Sequence, residues 1–328
     1  MKIVFAEYPE TAGRDITTEL NYLPKDAEVV IAAYDENNPE PYYAAMSDAD
    51  AVLSGFAPID KAAIDRMQNC KIISVQATGW NFVEHEYAKE KGIAVCAVGE
   101  YCTQEVADHT MTLMLGLQRR IPYLQRRVNV DKVWETATLE IIGVKRIEGQ
   151  TIGIVGFGKI GRAVAKRAQA FGMEILAYDP YIPESMVTDM GGRLVDIDTL
   201  LAESDVITIH MNMTSENESF FNTEKFNMMA KKPIFLNVAR GGMVNEDDML
   251  DALERGQISG AGLDVLYSES PDLTTNKLIG REDTIVTPHS AFFSNDSIEA
   301  CERISIENIT YYLAGERDKV FKLVQIPD

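Results

Sequence analysis

Residues 151–179 constrain the fold of this chain more tightly than any other stretch. Thr151 to Val155 reads as a buried strand, Gly156-Phe-Gly158-Lys159-Ile160-Gly161 as a glycine turn that enters a helix, and Glu174 to Tyr178 as a second strand ending in Asp179. Gly156 permits the tight turn, Gly158 lets the backbone approach a bound pyrophosphate, and Gly161 allows the helix to close on the strand. The helix start supplies N–H groups that no helical carbonyl uses, those of Lys159 and Ile160 among them, and these suit an anion. Asp179 stands where a carboxylate accepts hydrogen bonds from an adenosine ribose and repels a 2′-phosphate, so NAD is expected over NADP. A glycine turn alone is a weak signal, because ligand-free turns share it; strand, helix and acid in this order make it strong.

The 328 residues, with 46% hydrophobic content, suffice for two domains. A net charge of −20 argues against a surface that tracks nucleic-acid phosphates or an anionic membrane. No run of apolar residues is long enough for a membrane helix, and the chain opens on a strand-like Met1-Lys-Ile-Val-Phe rather than a signal-peptide pattern. Cys70, Cys96, Cys102 and Cys301 lack metal-ligand spacing and lie in or beside apolar runs, which points to free thiols in a reducing cytoplasm and to no metal site.

Two series of short apolar runs divide the chain. Residues 2–8, 28–34, 51–56, 71–77 and 93–98 form the first, with helix-like segments such as Ala62–Met67 and Glu84–Lys91 between them. The second begins at Thr151 and includes helix-like Ala163–Phe171 and Glu246–Arg255. Strands alternating with helices indicate parallel sheets covered on both faces, and two such series indicate two domains. The expected fold class is α/β with two doubly wound parallel-sheet domains. A Rossmann NAD domain spans 104–294, and a flavodoxin-like substrate domain joins 1–103 to 295–328 through a final helix over Ser297–Leu313. Glu105–Arg120 reads as a long buried helix. Arg127–Gly149 lacks strong periodicity and reads either as an arm to a partner subunit or as a surface loop.

Ligands of doubly wound sheets bind at the carboxyl ends of the strands. Arg240 follows the strand-like Ile234–Ala239 and precedes Gly241-Gly242; Glu269 lies just past the strand ending at Val265; His289 follows Thr284–Pro288. Taken singly, the arginine reads equally as a surface ion-pair member, the glutamate as a solvated loop acid and the histidine as a strand-end cap. Together with the glycine turn and Asp179, the segments Asn237 to Glu246, Gly260 to Pro271 and Thr287 to Ala291 make the chain similar to the D-isomer-specific 2-hydroxyacid dehydrogenases over nearly its whole length. Gln104 to Thr110, Gln169 to Gly172, Tyr178 to Tyr181 and the aromatic pair after His289 resemble most the group that contains the C-terminal-binding proteins.

That resemblance implies a catalytic set of Arg240, Glu269 and His289. A 2-oxo acid needs a proton on its carbonyl oxygen as a hydride reaches the carbon; an imidazolium at His289 would donate it and an imidazole would take it back. Glu269 would hold the other ring nitrogen, and Arg240 would clamp the substrate carboxylate with its planar fork. The resemblance also places Thr103, Val238, Ala239 and Asp264 beside the nicotinamide side of the cofactor. His210 and Met211 are expected to flank the adenine, a plain core role for His210 standing beside that reading. Asp108 and His109, on the long helix, read as structural.

For the substrate, the matching loop is Gln76 to Asn81, where Thr78 and Gly79 offer an N–H pair. Ala77, Trp80 and Asn81 depart from the family's usual residues, and Trp80 reads equally as core packing. Ser54-Gly-Phe56-Ala holds no basic residue, and the chain ends at Asp328 with no further domain expected, both of which weaken a phosphoglycerate reading. Phe56, Trp80, Phe292 and Phe293 suit instead an apolar pocket for a branched, thioether or aromatic 2-oxo acid, with Phe292 and Phe293 reading alternatively as core. The expected protein is a cytoplasmic, homodimeric, NAD-dependent D-2-hydroxyacid dehydrogenase with a small-molecule partner and neither nucleic-acid nor membrane partners. Alternatives are a dinucleotide-sensing scaffold like the C-terminal-binding proteins, disfavoured by the lack of a Pro/Ser-rich tail, and a phosphoglycerate or hydroxypyruvate type of dehydrogenase. A formate type is disfavoured by Glu269, because those relatives pair the histidine with glutamine.

Overall fold

The computed structural model describes residues 1–135 and 143–326. The chain forms two compact units, Met1–Tyr101 with Ser294–Asp328 and Cys102–Phe293. Against the expected division, Cys102 and Thr103 belong to the second unit and Ser294 to the first. The reason is local: Thr103 opens the long helix Thr103–Gln118, whereas Ser294 caps the helix Asn295–Leu313.

In the first unit, β1 (Lys2–Glu7), β2 (Glu28–Ala33), β3 (Ala51–Ser54), β4 (Ile72–Val75) and β5 (Ala94–Ala97) are all parallel. Their order, 2-1-3-4-5, is the flavodoxin-like one, with Leu323–Gln325 added antiparallel beside β5. Every residue of β3, β4 and β5 is buried, as a sheet covered on both faces requires. Ile306, Ile309 and Tyr312 of the helix Asn295–Leu313 join Ile3, Phe5, Leu53 and Ile72 in the core on one side of this sheet. A capping box starts that helix: Ser294 and Ser297 each hydrogen-bond the other's backbone N–H at 2.9 Å. Burial carries the stability here. Each enclosed Ile, Leu or Phe contributes about 1.5–3 kcal/mol, against about 0–1 kcal/mol for an exposed pair such as Lys91–Asp65.

The second unit holds β6 (Thr151–Val155), β7 (Glu174–Tyr178), β8 (Arg193–Leu194), β9 (Val206–Ile209), β10 (Ile234–Asn237), β11 (Gly260–Leu263) and β12 (Thr284–Val286). All are parallel, in the spatial order β8-β7-β6-β9-β10-β11-β12. With β6 counted first, this is the 3-2-1-4-5-6 Rossmann order with one strand added. The topological switch point lies between β6 and β9. There Gly156, at φ 92°, sits so close to the next strand end that a Cβ would lie 2.6 Å from the Met211 amide nitrogen. The turn enters the helix Lys159–Ala170, and a Cβ on Gly161 would lie 2.3 Å from the Gly156 carbonyl oxygen.

Element ends differ from expectation by a few residues. The strand-like runs 206–211, 234–239 and 284–288 stop at Ile209, Asn237 and Val286, because their last residues turn away into loops. The segment expected to lack periodicity begins inside a helix, Ile121–Asn129, which Pro122 starts. Residues 136–142 of the expected arm lie outside the described residues. Among the described residues, no helix is long and apolar enough to cross a membrane.

Two consequences can be measured. Gly161→Ala should lose about 1–3 kcal/mol of stability through backbone overlap, read as a lower urea midpoint. Gly158→Ala, where a Cβ meets nothing within 4 Å, should unfold like the parent. The second concerns His210, at the end of β9, whose pKa burial pushes down from 6.5 to about 3. The unfolded chain therefore binds a proton that the folded chain refuses between those values, so stability falls as pH drops through that window. His210→Asn should flatten that part of the stability–pH curve measured by urea unfolding.

Candidate active site

Three loops at the carboxyl ends of β10, β11 and β12 carry the expected catalytic residues. Asn237, the last residue of β10 and 1% exposed, shapes the first. Its Oδ1 accepts the Ala239 N–H at 3.0 Å, and its Nδ2 donates to the Arg240 carbonyl at 2.9 Å. The guanidinium of Arg240, half-buried, donates from Nη1 to the Ala239 carbonyl at 2.8 Å. A Cβ on Gly241 would lie 1.8 Å from the Leu266 carbonyl oxygen, so this loop presses on the one that leads to Glu269.

His289 Nδ1 lies 2.8 Å from Glu269 Oε2. A carboxylate can only accept, so Nδ1 carries the proton and Nε2 is the nitrogen left for a reacting group. The two side chains are 39% and 62% exposed, so the pair adds about 0–1 kcal/mol at most and its effect is orientation rather than stability. The backbone of His289 is left-handed, at φ 49°, a conformation of order 1–3 kcal/mol above the common ones for such a residue. Its N–H donates to the carbonyls of Asp264 at 2.8 Å and Thr287 at 3.0 Å. Phe292 stands edge-on to the imidazole, ring centroids 6.4 Å apart, and Phe293 is 60% exposed, so the core reading of Phe293 does not hold.

The nucleotide side is built around the glycine turn. Asp179 Oδ2 accepts the Phe157 N–H at 2.9 Å, and Oδ1 accepts the Tyr181 N–H at 3.0 Å, which fixes the carboxylate at the end of β7. Gly158, the N-cap, has no side chain to satisfy the first turn of its helix, and the space a Cβ would enter is open to 4 Å. Lys159 is exposed and Ile160 half-buried behind it. Met211 and His210 form the opposite wall of the turn. The His210 Nε2 pairs with Thr208 Oγ1 at 3.0 Å, while its enclosed Nδ1 has no partner among the described residues. These features fit a dinucleotide: a helix N-terminus for the pyrophosphate, open space above Gly158 and a fixed carboxylate for a ribose. Thr103 opens the long helix, and Val238 and Ala239 follow β10.

Asp264 is engaged differently from the sequence expectation. It is 1% exposed, and its carboxylate accepts from Thr287 Oγ1 at 2.5 Å and from the N–H groups of Ser290 and Ala291 at 2.9 Å each. Its side chain braces the His289 loop from within.

In the first unit, the loop after β4 is anchored through Gln76. The Gln76 amide donates to Glu19 Oε1 at 3.0 Å and accepts from Arg14 at 3.3 Å, and Arg14 also meets Glu7 at 2.9 Å. Beyond this anchor, the N–H groups of Thr78 and Gly79 make no hydrogen bond among the described residues. Trp80 packs on the unit's core, edge-on to His85, with the Lys322 ammonium 4.6 Å from its ring centroid. Phe56 is 61% exposed beside Phe82, ring centroids 5.8 Å apart, on a turn closed by Ser54 Oγ donating to the Ala57 carbonyl at 2.7 Å. Sequence reasoning assigns no role to Asn237, Thr287, Gln76 or Arg14 individually; Thr287, Gln76 and Arg14 bond side chains remote in sequence, which leaves no local pattern.

The family model for the NAD-binding domain of D-isomer specific 2-hydroxyacid dehydrogenases matches residues 111–291. A hydroxypyruvate reductase of Blautia hydrogenotrophica is 33% identical over 82% of this chain and 84% of its own. A glycerate dehydrogenase of Methylorubrum extorquens is 33% identical over 86% of this chain and 88% of its own. Among solved structures, the D-lactate dehydrogenase of Aquifex aeolicus, complexed with NAD and lactic acid, has a TM-score of 0.85 at 26% identity and covers 99% of this chain and 100% of its own. These likenesses carry the family and not the narrower C-terminal-binding-protein group. With the Rossmann strand order, the glycine turn and the strand-end residues, they establish that the chain belongs to the D-isomer specific 2-hydroxyacid dehydrogenases, the NAD-binding oxidoreductases of that family.

Proposed function

We propose that the chain interconverts a 2-oxo acid and its D-2-hydroxy acid, with His289 as acid and base, Glu269 orienting its ring and Arg240 holding the substrate carboxylate. The contact of His289 Nδ1 with Glu269 Oε2 at 2.8 Å is the observation that carries this reading. It directs Nε2 alone toward the reacting group. NAD, when bound, supplies the hydride chemistry. The residues of the chain do the rest: Arg240 offers a fork of donors matched to a carboxylate, and the Nε2 proton of His289 goes to the carbonyl oxygen in reduction and returns in oxidation. Gly158 and the first turn at Lys159, Ile160 and Gly161 take the pyrophosphate, Asp179 the ribose, and His210 and Met211 the adenine side. Thr103, Val238 and Ala239 line the nicotinamide side, and Asp264 acts there through the loop that it braces.

For the substrate we favour unphosphorylated acids. The turn at Phe56 presents a ring and no cation, while Thr78 and Gly79 offer N–H donors enough for one carboxylate. The relatives named for hydroxypyruvate and glycerate also handle unphosphorylated acids in name. A homodimer is proposed because Ile121, Val128, Val130 and Trp134 are 50%, 42%, 68% and 86% exposed along one helix and the segment after it. A cytoplasmic location agrees with four buried, free cysteines.

His289→Ala should lower kcat by at least about a hundred-fold, within the usual range for a general acid–base group, with NADH binding by fluorescence titration kept. Loss of NADH binding instead would remove His289 from the acid–base role. Initial rates of NADH oxidation against hydroxypyruvate, 3-phosphohydroxypyruvate, pyruvate, 2-oxoisocaproate and phenylpyruvate should favour the unphosphorylated acids. A preference for the phosphorylated one would overturn the reading of the Phe56 turn.

A further inference from the structure

His289 holds its left-handed backbone, φ 49°, in a loop braced on both sides by one buried carboxylate. Asp264 accepts from Thr287, two residues before His289, and from the N–H groups of Ser290 and Ala291 after it. The His289 N–H itself donates to the Asp264 carbonyl at 2.8 Å. The Thr287 hydroxyl has one hydrogen, and an ionised Asp264 only accepts, so that hydrogen points at Asp264 over 2.5 Å. The hydroxyl oxygen is then the acceptor for His109 Nε2, 2.9 Å away, and His109 must carry its proton on that nitrogen. The same Nε2 lies 3.5 Å from Asp264 Oδ1, beside the oxygen that Thr287 and the Ser290 N–H also reach. A helix residue 178 positions upstream of Thr287 thus closes a chain of bonds onto the loop that presents the imidazole.

We propose that His109 and Thr287 are positioning residues for His289, acting through Asp264; this rests on the reading of His289 as the proton donor. Neither side chain bonds to His289. Their effect is to hold the loop so that the imidazole meets Glu269 and the substrate at one angle, and a misplacement of this kind can lower turnover by up to about a hundred-fold.

The test uses the intact enzyme with NADH and a 2-oxo acid that it turns over. Thr287→Val keeps the shape and removes the hydroxyl; Thr287→Ser keeps the hydroxyl. His109→Leu removes the donor; His109→Gln retains an N–H donor. Expected is a fall in kcat of about ten-fold to a hundred-fold for Thr287→Val and His109→Leu, with NADH affinity and melting temperature near the parent's. Thr287→Ser and His109→Gln should recover most of the turnover. The double variant Thr287→Val with His109→Leu should be little worse than Thr287→Val alone, because both act through one contact. Parental kcat in both single variants would overturn the proposal, and so would NADH binding lost in step with kcat. His289→Ala, assayed alongside, separates the two readings. If it stays active, the acid–base role falls and positioning with it; if it is inactive while Thr287→Val is fully active, only positioning falls.

Discussion

The second unit depends on one close approach at its topological switch point. Between β6 and β9 the strand order reverses, and the chain leaves the sheet in opposite directions on either side. A crevice opens there only if the two strand ends come together without side chains between them. Gly156 supplies that, with the Met211 amide where a Cβ would stand, and Gly161 then lets the helix Lys159–Ala170 descend onto the turn. The start of the helix Lys159–Ala170, the Asp179 carboxylate and the wall formed by His210 and Met211 all take their places from this contact. Replace either glycine by a larger residue and these groups move apart together.

The loops that carry Arg240, Glu269 and His289 follow a different rule. Its residues come from three strand ends, and local hydrogen bonds, not burial, aim them. Asn237 folds back on Arg240, and Asp264 grips the loop of His289 from both sides. The exposed Glu269–His289 pair adds little to stability, which leaves its direction as its use. Polar side chains that are themselves buried do the aiming, and the aimed side chains of Arg240, Glu269 and His289 stay partly open to solvent. That division suits a site in which the reacting groups must meet a small acid while their supports stay rigid.

Much of the fold was legible in the sequence because parallel sheets covered on both faces write themselves as short, nearly continuous apolar runs. β3, β4, β5 and β6 are buried at every position, and each coincides with such a run. The glycine turn and Asp179 stand out in the sequence because they directly follow strand-like runs, whereas Arg240, Glu269 and His289 lie in loops beyond β10, β11 and β12 and are singled out through the family resemblance. The helix Ile121–Asn129 was missed although Ile121, Leu124 and Val128 recur at helical spacing, because it is short and buries none of its residues. Trp80 could be assigned only once its ring was seen packed on the core with Lys322 above it.

By itself, then, the sequence determined two parallel α/β units, a glycine turn between strand and helix, and three ionisable residues at or beyond strand ends. The units and the turn follow from periodicity and spacing, which are properties of neighbours along the chain; the roles of Arg240, Glu269 and His289 come from the family resemblance. Only the tertiary structure decided that Asp264 turns inward to brace the His289 loop, that His109 reaches Thr287, and that Arg14 and Gln76 anchor the loop before Thr78. Each of these depends on a hydrogen bond between residues far apart in sequence, and such a bond has no signature until packing brings its two ends within reach.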